Sequence, residues 1–365
     1  MATTGNKTYT QQQNIKYTNQ LNELLNELPD FCRQYFDSLE YSKQPRTKIA
    51  YARDIKGFFE YLCFNSDLFG YESIKQFNVK DLEKISGQDI NNYMRFVKAY
   101  SKDGSVVTNS ERAAKRKLCS LRGMYKFFFR YEMISKNPTL LIDMPSTHEQ
   151  AITRLDVNEV SEFLDNVESG NKLTSTQLRH HNKLKTRDLA LLTLMLGTGI
   201  RVSECVGLDI NDVDFDNDRI KVVRKGGAES FVYFGDEVRD ALLSYLEERK
   251  TLNPEPGHEN ALFISSKNKR LCVRSVELLV KKYAQTVTTV KHITPHKLRS
   301  TYGTSLYQET QDIYLVADVL GHKDVNTTRK HYAELVDENR RRARNMVHLR
   351  KDCLLYTSDA ADEED

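Results

Sequence analysis

Residues 186–201, TRDLALLTLMLGTGIR, constrain the fold most, because after its first turn this run has hardly a face that belongs in water. A helix that is apolar nearly all round must be buried. Gly197 and Gly199 stop the run and turn the chain sharply, and Arg201 emerges at the turn. Arginines are rarely buried without a partner, and Glu204 at the start of the next short helix is placed to orient this one. A structural ion pair is the plainer alternative.

Chemistry concentrates further on. The 39 residues 294–332, TPHKLRSTYGTSLYQETQDIYLVADVLGHKDVNTTRKHY, hold His296, Arg299, His322 and Tyr332. A helix over 296–306 sends His296 and Arg299 from one face, so they can converge on one ligand. Guanidinium is a planar cation suited to two phosphate oxygens, and imidazole carries a proton near neutral pH. A tyrosine is a poor nucleophile at its free pKa of about 10, so it needs bases and cations around it. Taken singly, each residue has an ordinary explanation: a capping or core histidine, one of 19 tyrosines, or a helix stop at Leu320-Gly321-His322. Their joint occurrence with Arg201 and Lys225 favours a phosphate site. Lys225 lies between two expected strands, 218–224 and 230–234, in a glycine-bearing turn from which a lysine can swing into a cleft. A third strand at 261–265 and helices at 273–285 and from 337 onward complete a mixed, helix-rich domain.

The first half has helical spacing over 21–35, 47–63, 88–100 and 109–131, which predicts four or five helices and no sheet. In the last of these, Leu118, Leu121, Tyr125, Phe128 and Phe129 form an apolar stripe. Beside it run Arg112, Lys115, Arg116, Arg122, Lys126 and Arg130, and Lys43, Arg46 and Lys48 add a second basic cluster. Phosphate is the natural complement of such a face, although a solvated helix surface has the same look. The expected class is mainly α with a small β-sheet. Its parts are a polar leader 1–26, a helical domain 27–144 that bears the basic face, a linker 145–154 around Pro145, a mixed α/β, helix-rich domain 155–352 that bears the phosphate site and a foreign-looking acidic tail 353–365.

At 365 residues two domains are the default. No apolar stretch approaches the roughly 20 residues of a membrane helix, and the polar start lacks an export signal, so the cytoplasm is the expected compartment. Cys32, Cys63, Cys119, Cys205, Cys272 and Cys353 show neither CxxC nor Cys/His spacing, so neither metal nor disulfide is expected. The net charge of +3 is nearly balanced, and the distribution of charge says more about partners than the sum.

The series GTGIRVSE, RKGG, TPHKLR, LGHKD and the tyrosine that follows resembles the tyrosine recombinases, or phage integrase family, and looks most similar to the single-protein Xer recombinases of bacterial chromosomes. The resemblance runs to about Lys351; the catalytic half carries its motifs in order and the helical half matches in layout. It implies that the two halves clamp double-stranded DNA. Arg201 and Arg299 would hold the non-bridging oxygens of the scissile phosphate, Tyr332 would attack it, and Lys225 would protonate the departing 5′-oxygen. His296 would act as general base or position the phenol, His322 would hydrogen-bond the phosphate, and Glu204 would orient Arg201. Preorganised cations suit the charge that spreads over such a transition state. A 3′-phosphotyrosine keeps the energy of the broken bond, so no cofactor is implied. The resemblance also implies a homo-tetramer on two DNA sites, a dimer on each, assembled by exchange of the segment 334–350, and a role in chromosome dimer resolution with an accessory DNA translocase. Two positions depart from the family pattern. Tyr332 lies ten places after His322, with His331 at the more usual ninth, and Ser300 follows Arg299 where histidine is frequent. Histidine can form a phosphoramidate, so His331 is not chemically excluded, but Tyr332 is the expected nucleophile, because a shift of one residue is easily absorbed in the loop after His322. The alternatives are an integrase of a phage or conjugative element and a catalytically silent DNA-binding protein, the latter disfavoured because every catalytic position is filled.

Overall fold

The computed structural model describes residues 8–102, 105–146, 153–224, 227–322 and 325. They belong to two compact units, one within residues 1–150 and one within 151–365. No helix among the described residues is long and apolar enough to cross a membrane.

The first unit contains α1 (Tyr9–Glu27), α2 (Cys32–Ser38), α3 (Pro45–Phe64), α4 (Gly87–Phe96), β1 (Ala99–Lys102), β2 (Ser105–Thr108) and α5 (Glu111–Arg130). Its core is strongly aromatic, with Phe58, Phe59, Tyr93, Tyr125 and Phe128 all buried. Three expectations change here. Most of the stretch read as a polar leader is α1, started by a Thr8–Gln11 capping box and held by Leu21 and Leu25 in the core. The helix expected over 21–35 is broken in two, because Pro29 forces Leu28 out of the helical region, to ψ 160°. The helix expected over 88–100 ends at Phe96, and an antiparallel hairpin follows with Lys102 opposite Ser105. The sequence signal for that hairpin was Asp103-Gly104, among the strongest of the two-residue turn pairs.

The second unit contains α6 (Val157–Ser169), α7 (Ser175–Thr198), α8 (Val202–Cys205), β3 (Val213–Asp214), β4 (Arg219–Val223), β5 (Glu229–Tyr233), α9 (Asp236–Thr251), α10 (Val273–Val287), α11 (Pro295–Thr310) and α12 (Ile313–Leu320). The apolar part of α7 is its centre: Ala190, Leu191, Leu192, Leu194 and Met195 are fully buried, and α6, α8, α9 and α11 pack around the helix. The three strands form one antiparallel sheet in the order β3-β4-β5. Residues 261–265 form no strand; they make only isolated bridges, Asp209 to Ala261 and Ile264 to Arg270. Leu262 N donates to Leu208 O, Phe263 O accepts from Leu271 N and Ser265 N donates to Lys269 O, and side chains take up further carbonyls. Arg249 donates to Ala261 O, Tyr245 donates to Leu262 O and accepts from Ile264 N, and Arg187 donates to Ile264 O.

Candidate active site

The site begins where α7 ends. Thr198 Oγ1 bonds back to Leu194 O, and Gly199 takes a left-handed conformation with φ +62°. A Cβ on Gly199 would lie 2.5 Å from Tyr302 Cδ1 and 2.9 Å from Leu320 Cδ2, so only glycine lets α11 and α12 pack against this turn. Arg201 then starts α8. Its backbone N–H donates to Glu204 Oε2 at 3.0 Å and its Nη1 to Glu204 Oε1 at 2.9 Å. One buried carboxylate thus fixes both the main chain and the guanidinium of Arg201.

The C-terminal end of α12 is the meeting point. Gly321, at φ +61°, lets its own N–H donate to Asp318 O at 2.7 Å and that of His322 donate to Ala317 O at 2.8 Å, a Schellman closure. Two further helix carbonyls, and that of Gly321 itself, point away from this closure and are taken by arginines. Arg224 Nη1 donates to Leu320 O at 3.0 Å and its Nη2 to Val319 O at 3.3 Å. Arg299 donates from Nη2 to Leu320 O and from Nη1 to Gly199 O at 2.5 Å. Arg201 Nη2 donates to Gly321 O at 3.2 Å. Cations at a helix C-terminus are favoured by the macrodipole, and here three converge on one such end. Burial pulls the Arg224 guanidinium below its ordinary range; Glu204 opposes that shift and Arg201 adds to it.

Arg201, Glu204, Arg299 and His322 therefore come together around the turn at Gly321. His296 stands in the first turn of α11, exposed, while Arg299 on the same helix is buried. Lys225, Tyr332, His331 and the segment 334–350 lie outside the described residues. Arg224 was not anticipated from sequence. Nothing in a strand pattern says that its last side chain will reach a helix end some 95 residues further along.

The basic face of the first unit is partly dismantled. Lys48 is buried and paired with Glu40, so it is unavailable to an external phosphate. Arg122 is half-buried and donates to Ile142 O, and Arg116 is tied at 3.1 Å to the buried Asp54. Burial raises the Asp54 carboxyl above its usual range, against the pull of Lys117 and Arg116. Lys43, Arg46, Arg112, Lys115, Lys126 and Arg130 remain exposed. Lys43, Lys126 and Arg130 line one cleft of about 560 Å³ with Tyr35, Tyr51 and Tyr131, which joins the two basic clusters read from sequence.

Residues 153–339 match the model of the phage integrase family. Similar curated proteins include tyrosine recombinase XerC of Caldanaerobacter subterraneus subsp. tengcongensis, 30% identical over 340 residues that cover 91% of this chain and 87% of that protein. Tyrosine recombinase XerC of Leptospira interrogans is 30% identical over 307 residues, covering 84% of this chain and 88% of the relative. Among solved structures, XerH recombinase in a post-cleavage complex with a palindromic difH substrate is similar in fold, with a TM-score of 0.61, 18% identity, and coverage of 94% of this chain and 91% of that one. The Tn1549 transposon integrase in complex with circular intermediate DNA has a TM-score of 0.62 at 20% identity, covering 87% of this chain and 99% of that one.

Proposed function

The chain belongs to the phage integrase family of tyrosine recombinases and is a site-specific recombinase, and from that premise we propose a Xer-type enzyme that cuts and rejoins double-stranded DNA through a 3′-phosphotyrosine. The observation that carries this reading is the meeting of Arg201 and Arg299, distant in sequence, on adjacent carbonyls at one helix end, with Glu204 orienting Arg201. Lys225 and Tyr332 enter it from the sequence alone.

In this reading Arg201 and Arg299 hold the two non-bridging oxygens of the scissile phosphodiester, and His322 hydrogen-bonds the same group. His296 takes the proton of the Tyr332 phenol as its oxygen attacks phosphorus. The bond from phosphorus to the 5′-oxygen breaks, and Lys225 supplies the proton to that oxygen. One phosphodiester replaces another, so attack by the 5′-hydroxyl of a second strand restores DNA with no nucleotide hydrolysed. The charge that develops on the phosphoryl oxygens meets cations already in place.

The first unit, with Lys43, Arg46, Arg112, Lys115, Lys126 and Arg130 exposed, supplies contacts to DNA phosphates, and the second carries the chemistry. Within this reading the domain limits 27–144 and 155–352 mark the two roles, with the helical stretch before residue 27 added to the first. The Tn1549 integrase is described in complex with circular intermediate DNA and XerH with a difH substrate, which supports DNA as the partner. Identity of 30% with XerC proteins over most of both chains favours chromosome dimer resolution over integration of a mobile element. A homo-tetramer on two sites, a dimer on each, an accessory DNA translocase and a cytoplasmic location complete the proposal.

Trapping tests it. A duplex bearing the sequence that the wild-type protein selects from a randomised pool, nicked so that the short 5′-hydroxyl fragment diffuses away, should accumulate a covalent protein–DNA adduct. Tyr332→Phe should bind that duplex and form none. An acid-stable linkage mapped to Tyr332 supports the assignment, whereas an acid-labile one on His331 moves the nucleophile by one residue. Binding with no adduct from the wild-type protein overturns the reading.

A further inference from the structure

Every carbonyl at the C-terminal end of α12 has a donor. Ala317 O and Asp318 O accept from the main chain of the closing turn. Val319 O and Leu320 O accept from Arg224, Leu320 O also from Arg299, and Gly321 O from Arg201. Two of these three arginines are the ones assigned to the scissile phosphate. Arg224 has no part in that assignment, yet it spans two successive carbonyls with both ends of its fork.

We propose that Arg224 is a positioning residue for strand cleavage: it ties the end of β4 to the end of α12 and so holds the Gly321–His322 turn in register with Arg201 and Arg299. The inference rests on the reading of the site given above. When a phosphodiester enters, Arg201 and Arg299 redirect donors toward it and their grip on Gly321 O and Leu320 O weakens. Arg224 then keeps Val319 O and Leu320 O capped, so His322 does not drift as its neighbours change partners. Arg224 is itself fixed, since its N–H donates to Ala228 O at 2.8 Å and its carbonyl accepts from Gly227 N at 3.1 Å, at the close of the β4–β5 hairpin. Gly321 completes the fit. A Cβ there would lie 2.4 Å from Arg224 Nη1 and 2.6 Å from Cζ, so the bare main chain is what leaves room for the guanidinium against the turn. Lysine has no planar fork and cannot cap both carbonyls in one geometry. Lys225 follows Arg224 in the chain, so the same strand end that braces His322 also leads into the residue assigned to protonate the leaving oxygen.

The test is a double-variant cycle on the full chain with Arg224→Ala, His322→Ala and both together. Readouts are the single-turnover rate of adduct formation on the nicked, pool-selected duplex, the Kd for the same duplex, and the melting temperature. Arg224→Ala should slow adduct formation by about 10²-fold, the scale of loss expected when a reacting group is misplaced by an ångström. Its Kd should stay within about twofold of wild type, as expected of a residue that makes no contact with DNA. The double variant should be no slower than His322→Ala by more than about twofold, because a residue that acts through His322 has nothing left to position. Arg224→Lys should recover only part of the rate, and if Arg224→Ala does not fold, the lysine variant runs the same cycle. Additive losses, an unchanged rate, or a rate loss matched by lost DNA affinity would overturn the positioning role. Absence of any adduct from the wild-type protein would overturn the recombinase site itself and this inference with it, a result distinct from the other three.

Discussion

Gly199 shows how much of the site hangs on a single missing side chain. Its φ of +62° costs an L-residue about 1–2 kcal/mol. A methyl group would also meet Tyr302 and Leu320 at contact distances no packed core allows. Gly199→Ala should therefore lower the unfolding free energy by about 1–3 kcal/mol in urea titration, strain and overpacking together. It should also reduce adduct formation, because the same turn presents Arg201. An alanine variant with wild-type stability would contradict the packing of α11 and α12 described above. Sequence showed the glycine, and a helix stop explained it. The neighbours that make it irreplaceable come from residues more than a hundred places later.

Two elements carry predictions of their own. Leu21 and Leu25 of α1 are buried in the core of the first unit, and Glu27 pairs with Lys56 of α3 at 2.5 Å. Each buried leucine contributes about 1.5–3 kcal/mol, so removing residues 1–26 should destabilise the chain by about 3–6 kcal/mol in chemical denaturation. A disposable leader would leave the unfolding midpoint where it was. Helices α7 and α10 are joined by a buried polar chain. His181 Nδ1 lies 2.9 Å from the Tyr283 hydroxyl, which donates to Asp188 Oδ2 at 3.3 Å, and Arg187 Nε donates to Asp188 Oδ1 at 3.0 Å. Burial first, and nearby Lys282 second, hold the His181 pKa below its ordinary 6.5. The unfolded chain then binds the proton more tightly than the folded one, so stability is full above the ordinary pKa and falls as pH drops below it. The urea midpoint should decline from about pH 7 to about pH 5, and His181→Gln should flatten that decline whatever it does to the midpoint at neutral pH. An unchanged slope in the variant would assign the acid sensitivity elsewhere.

At the scale of the whole molecule, the proposed assembly on two sites is the quantity to test. If the segment 334–350 docks on a neighbouring subunit, truncation before Asp337 should leave DNA binding intact and abolish recombination of a plasmid bearing two sites. Full recombination by the truncated chain would reject the exchange. Some of this molecule follows from local rules. The apolar run of α7 must be buried wherever it goes, the helix stops at Gly199 and Gly321 are set by backbone sterics, and Arg201 with Glu204 is a contact between near neighbours. Such features need no knowledge of the rest of the chain, so sequence alone determined them, along with the order of the motifs. Other features depend on which distant groups arrive to satisfy a donor or an acceptor. Residues 261–265 looked like a strand but make only isolated bridges, and Arg249, Tyr245 and Arg187 take several of their carbonyls. Lys48 looked like a DNA contact but is buried against Glu40. Arg224 was one more basic residue on a strand until α12 brought Val319 O and Leu320 O to its fork. Only the tertiary structure decided these, because a buried polar group must be paired and the pairing partner is chosen by packing over long sequence separations.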